Sequence, residues 1–283
     1  MITLKNEAMT VTIKEKGAEM TSVLAANGTE YLWNGDPKFW GKHAPVLFPI
    51  CSGLINDEYH YEGKTYSLPK HGYAWTKLFE VESATETEAT FLLRDDEESR
   101  VNFPFAYELR ITYRLNGDTI EVAYDVTNPA EKPLYMSIGA HEAYSCPEGI
   151  NAYEIVFPEA ETLYTIPAPR ERDDKILMLN NNKVFPLREE DFINDSLNFR
   201  DGTKSNSLVL RHKETGRGVE VRYEGFDHLL LWQPYKAPFL CVEPWCGFPD
   251  VVGHDGDITK KVGIHCVKAG ETFHRLHTIT LLY

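Results

Sequence analysis

Between Tyr107 and Val126 the chain alternates with a period of two. Tyr107, Leu109, Ile111, Tyr113 and Leu115 are separated by Glu108, Arg110, Thr112 and Arg114. After Asn116-Gly117-Asp118, the residues Ile120, Val122, Tyr124 and Val126 are separated by Glu121, Ala123 and Asp125. Successive side chains of a strand point to opposite faces, so segments like these bury one apolar face only as strands. Two of them around an Asn-Gly turn predict a β-hairpin. The same period recurs at Met9-Val11-Ile13, over 87–94, at Val219-Val221-Tyr223 and over 278–282. Helical periodicity is nearly absent; 189–197 is the one stretch that predicts a short helix. The charged, Asn-rich, proline-bounded segment 167–186 predicts a long surface loop. No repeat, low-complexity tract or shift of composition divides the chain, so residues 1–283 read as a single all-β domain. Its 283 residues suit one large antiparallel β-sandwich.

Charge and cysteine usage narrow the partners. A formal net charge of -14 repels phosphate backbones, which argues against nucleic acid and, more weakly, against anionic membranes. No stretch approaches the roughly 20 apolar residues of a membrane helix, and Met1-Ile2-Thr3-Leu4-Lys5 lacks the pattern of a signal peptide. The cysteines, Cys51, Cys146, Cys241, Cys246 and Cys266, are odd in number and form no CxxC pair, which predicts free thiols and a cytoplasmic location. Cys241 and Cys246 stand apart in sequence from other ligand types, so no zinc site is expected. An aromatic-rich all-β surface is compatible with a homodimer.

Three segments place an ionisable group among aromatic and small residues. Glu243 ends the apolar run Phe239-Leu240-Cys241-Val242 and precedes Pro244-Trp245; burial there raises a carboxyl pKa unless hydrogen bonds offset it. His71 sits in Pro69-Lys70-His71-Gly72-Tyr73-Ala74-Trp75, on a turn that Gly72 permits. His141 lies in Gly139-Ala140-His141-Glu142-Ala143-Tyr144. Two histidines and one partly buried carboxylate suffice for acid–base chemistry without metal or cofactor. Each taken singly is more often a hydrogen-bonded core residue. The other histidines carry no such context, and His274 and His277 read as surface or edge positions. A two-His-one-carboxylate metal site is the main rival, but the chain lacks HxH or HExxH spacing. It also lacks GxSxG and any Gly-rich phosphate loop. Among the tryptophans, Trp75 and Trp245 adjoin these segments and are the candidate platforms for a sugar ring.

Taken in order, Trp40-Gly41-Lys42-His43-Ala44-Pro45-Val46-Leu47-Phe48-Pro49, His71-Gly72-Tyr73, Gly139-Ala140-His141 and Val242-Glu243-Pro244-Trp245 resemble the aldose 1-epimerase (galactose mutarotase-like) superfamily over essentially the whole chain. The likeness is greatest to its bacterial LacX-like branch. It implies a large antiparallel β-supersandwich and interconversion of the α and β anomers of a free aldose, with a small-molecule sugar as partner and no cofactor. By the resemblance His141 is the general acid toward the ring oxygen, Glu243 the general base toward the C1 hydroxyl, and His71 an assisting hydrogen-bond donor. Asp195 is the candidate for a family aspartate that binds sugar hydroxyls, and Lys42, Trp75 and Trp245 are the remaining substrate-binding candidates. The chain departs from the family pattern where relatives carry arginine, at Lys42, Gly53 and Trp75. Lysine does not reproduce the bidentate arginine fork. Two alternatives follow: a catalytically weak carbohydrate-binding protein on the same fold, and a hexose-6-phosphate 1-epimerase, which the missing arginines and acidic balance disfavour.

Overall fold

The computed structural model describes residues 1–166 and 175–283. Its largest element is a nine-stranded antiparallel sheet. In spatial order the strands are Ile176–Pro186, Tyr153–Thr165, Ser207–His212, Gly218–Arg222, Thr272–Leu282, Thr119–Thr127, Glu108–Asn116, Glu88–Arg94 and Glu80–Ala84. The predicted hairpin lies in this sheet. Its register pairs Asn116 with Thr119, so the two turn residues are Gly117 and Asp118, with Gly117 at φ 56° taking the left-handed position. Leu109, Ile111, Ile120, Val122, Tyr124 and Val126 are wholly buried while the residues between them face outward.

A five-stranded sheet packs on the first. Phe239–Cys246 is flanked on one side by His228–Trp232, which pairs in turn with Leu197–Phe199. On its other side lie two short strands, Ile138–Gly139 and Glu142–Ser145. Leu197, Leu229, Leu231, Leu240 and Val242 join the hydrophobic core shared with the nine-stranded sheet. The period of two then commits Leu230, Trp232, Cys241, Glu243 and Trp245 to the opposite face. A third sheet, Ile2–Lys5, Met9–Lys14 and Glu19–Ala25, completes the framework.

Two predicted elements are corrected and one unpredicted element is added. Part of the expected loop, residues 176–186, is an edge strand; residues 167–174 of that segment lie outside the described residues. The strand exposes side chains on both faces and its pairing is interrupted by register shifts, which erases the alternation. The helix expected over 189–197 is a single 3-10 turn, Glu189–Phe192, followed by the strand Leu197–Phe199. Asp195 breaks the segment with φ 109°. Finally, a six-residue helix, Glu97–Asn102, forms where periodicity gave no sign, nucleated by a capping box between Asp96 and Ser99.

Candidate functional site

His141 and Glu243 meet because of strand register. Gly139 pairs with Trp245 and Glu142 pairs with Val242, the same register on both sides of a two-residue interruption. That register sets His141 opposite Glu243, and with the ladder open at this point both side chains lie on the face turned away from the core. His141 Nε2 is 3.4 Å from Glu243 Oε2, and both residues are buried. Gly139 is required beside them, since a Cβ there would stand 2.5 Å from the Trp245 ring.

His71 arrives from a separate loop. It adopts φ 69°, followed by Gly72 at φ 67°, so the chain turns sharply under the Phe48 strand segment. Its backbone N–H donates to Ser52 O (2.7 Å), and the Ser52 N–H donates back to His71 Nδ1 (3.1 Å). An accepting Nδ1 leaves the proton of the neutral ring on Nε2, so this histidine is built as a donor through Nε2. The ring lies edge-on to His141 and Trp245, with centroids 5.6 and 5.7 Å away.

These groups line one open cleft of about 180 Å³, smaller than the pockets that enclose drug-sized ligands. His71, His141, Glu243, Lys42, Trp75, Asp195 and Trp245 all line it. Gly53, the third departure from the family pattern, does not, although a Cβ there would meet open space. Trp245 is 2% exposed and its indole N–H donates to Ala140 O (3.0 Å), so it forms floor more than platform. Trp75 is half-buried, with Lys42 Nζ 3.4 Å from its ring centroid. Burial lowers the Lys42 pKa, with Glu19 opposing.

Among the lining residues not singled out from sequence are Trp40, Trp232 and Lys70. Trp40 stacks on His141 at 5.0 Å and 22°, and Trp232 meets both rings edge-on. The alternation of His228–Trp232 carried the signal for Trp232, since its parity matches that of Leu230 on the cleft face. Glu19 was missed as well. Buried, it accepts the backbone N–H of His43 (2.7 Å) and of Ala44 (3.0 Å) and pairs with Lys14, which fixes the loop presenting Trp40 and Lys42. Burial alone would raise its carboxyl; the His43 and Lys14 contacts outweigh this and hold it down to about 2.

Burial pulls the His141 imidazole down to about 3; Lys42 and Lys70 push the same way and Glu19 opposes. The ring is therefore a poor proton holder in a cleft whose carboxylate neighbour favours the opposite. On the reverse face of the same strand, Glu142 points into the core and meets His277 at 3.2 Å. His277 is 0% exposed, which corrects its reading as a surface position. His274 is exposed and bonds Asp125. The cysteines also differ from expectation. Cys241 shares the cleft face with Glu243, and its Sγ lies with the His141 and Glu243 ligand atoms in a group within 4.8 Å. Cys246 joins Asp227 and His265 in a second such group. Both sets draw on separate segments, which local spacing in sequence cannot reveal. All five cysteines are free, and no helix among the described residues is long and apolar enough to cross a membrane.

The family profile described as aldose 1-epimerase matches residues 1–263. The plasmid-encoded protein LacX of Lactococcus lactis subsp. lactis is 34% identical over 298 residues, covering 99% of both chains. Among solved structures, a galactose mutarotase related enzyme from Lactobacillus acidophilus is similar with a TM-score of 0.93 at 31% identity, covering 100% of this chain and 97% of that one. A galactose mutarotase-like protein from Lactobacillus casei has a TM-score of 0.92 at 28% identity, with 100% of both chains covered.

Proposed function

The chain belongs to the aldose 1-epimerase family, and from that premise we propose that it interconverts the α and β anomers of a free aldose. The observation that carries the reading is the His141–Glu243 pair, 3.4 Å apart on the floor of a cleft edged by indole rings. The reactive form of the pair holds one proton, on His141. Glu243 accepts the proton of the C1 hydroxyl while His141 gives its own to the ring oxygen, and the C1–O5 bond breaks to leave the open-chain aldehyde. The pair's proton has then moved from imidazole to carboxylate. After rotation about C1–C2, Glu243 returns a proton to the carbonyl oxygen as the C5 hydroxyl attacks and His141 takes back the hydroxyl proton. Atoms and charge balance over the cycle, and no cofactor enters it. His71 donates through Nε2 to the sugar beside the ring oxygen, Asp195 accepts from its hydroxyls, and Trp40, Trp75 and Trp232 offer faces to its apolar side.

The test is polarimetry on freshly dissolved α-glucose and α-galactose. The wild-type protein accelerates the approach to equilibrium, and Glu243→Gln and His141→Asn each lower that rate by about 10²–10⁴-fold. Sugar binding with no acceleration of any aldose would replace the enzyme by the carbohydrate-binding reading. One observation favours a phosphorylated substrate in spite of the missing arginines: Lys42 and Lys70 both line the cleft. That reading requires glucose 6-phosphate to be strongly preferred over glucose in the same assay.

A further inference from the structure

The group formed by Asp227, Cys246 and His265 lies outside the cleft, and its ligand atoms are all within 4.8 Å of one another. The three residues come from three separate segments. Asp227 precedes the strand His228–Trp232, Cys246 closes the strand Phe239–Cys246, and His265 opens the strand His265–Val267. His265 Nε2 is already 2.8 Å from Asp227 Oδ2. Cys246 is wholly buried, whereas the Asp227 and His265 side chains are 38% and 22% exposed.

We propose that this triad is a binding site for a thiophilic divalent cation of the zinc class, with water completing the coordination on its exposed side. Thiolate, imidazole and carboxylate are the donor set that Zn²⁺ takes. In a tetrahedral site with Zn–S about 2.3 Å and Zn–N or Zn–O about 2.0 Å, ligand atoms stand roughly 3.3–3.6 Å apart. The His265–Asp227 contact therefore opens by about half an ångström, and Cys246 Sγ, within 4.8 Å of both and 3.8 Å from Gly225 O, exchanges that carbonyl for the cation. The thiol loses its proton to solvent on binding, so Cys246 thiolate and Asp227 carboxylate together neutralise the two charges of the cation. Arg275 is the cation beside the triad: its Nε donates to Gly225 O (2.6 Å), its guanidinium rests on the Phe273 ring, and it also reaches the Cys246 thiol, a contact that bound metal would replace. Bound metal joins the end of the strand that carries Glu243 to the segment leading into the C-terminal strand. The site stands independently of the proposed reaction.

Chelator-stripped protein titrated with Co²⁺ tests it. The expected result is one equivalent bound, with a thiolate-to-cobalt charge-transfer absorption that is lost in Cys246→Ser and retained in Cys241→Ser and Cys266→Ser. Zn²⁺ also raises the melting temperature of the wild type and not of Cys246→Ser. Should Cys246→Ser fail to fold, His265→Asn carries the test: its affinity for Co²⁺ falls by at least about tenfold. No charge-transfer band, a band that survives Cys246→Ser, a band that vanishes in Cys241→Ser, or undiminished affinity in His265→Asn overturns the proposal.

Discussion

At His141 catalysis and stability make opposite demands. The proposed acid role needs the imidazolium, yet burial lowers the ring's pKa to about 3. The one-proton form of the His141–Glu243 pair is therefore depleted as pH rises. The descending limb of kcat/KM should lie at or below the ordinary histidine value of 6.5 and not above it; a rate that holds constant from pH 5 to 6.5 and falls only beyond pH 8 would contradict this assignment of the acid. The residues of the pair stood out in sequence as ionisable groups among apolar neighbours, and the order of the four motifs, not that setting alone, set them apart from core residues. Glu19 was not legible, because its partners are backbone N–H groups and a lysine whose approach only the fold decides. His277 was legible in principle. It shares parity with the buried Ile279 and Leu281 in Thr272–Leu282, and the same alternation that buries them buries it. Replacing it by leucine leaves Glu142 unpaired in the core, so His277→Leu should cost about 3–5 kcal/mol in denaturant melts.

Among the elements, glycines separate turns that merely connect from turns that build the site. Gly117 and Gly72 both have positive φ, at 56° and 67°. A Cβ at Gly117 meets nothing within 4 Å, whereas one at Gly72 would stand 2.3 Å from the Phe48 carbonyl oxygen. Gly117→Ala should therefore lose about 1 kcal/mol of stability and leave mutarotation unchanged. Gly72→Ala should be more destabilising and should also lower kcat/KM, since His71 moves with its neighbour. Equal loss of activity in both variants would remove His71 positioning as the explanation. Central strands showed clearly in sequence because they bury one face and solvate the other, as Glu108–Asn116 and Thr119–Thr127 do. Ile176–Pro186 did not, because an edge strand solvated on both sides has no face to mark, and consecutive asparagines read locally as a turn. The site itself needed a further step. The alternation told which residues of Phe239–Cys246 share a face, but the register that brings His141 opposite Glu243 is set by pairing between distant segments.

Over the whole molecule, acid should weaken the fold in two successive stages, and the sign follows from which protonation state each folded environment prefers. His141 and Glu19 both have folded pKa values below their ordinary ones, about 3 against 6.5 and about 2 against 4.5. At neutral pH the folded state carries His141 neutral and Glu19 ionised at no protonation cost. As pH falls, the unfolded chain binds these protons first and gains free energy that the folded chain cannot. The His141 contribution is lost between pH 6.5 and about 3, and the Glu19 contribution between pH 4.5 and about 2. Each shift corresponds to about 1.4 kcal/mol per pKa unit, so either group alone is worth a few kcal/mol. Chemical denaturation of His141→Asn should then show a flatter stability profile between pH 6.5 and 3 than the wild type. Glu19→Gln should lose about 3 kcal/mol at pH 7 and flatten only below pH 4.5. The second loss carries a functional signature. Glu19 fixes the loop that presents Trp40 and Lys42, so Glu19→Gln should raise KM for the sugar even at temperatures where the variant remains folded. Destabilisation with KM unchanged would make Glu19 a support of the fold alone. The His141 profile would still stand, because it depends on a different group.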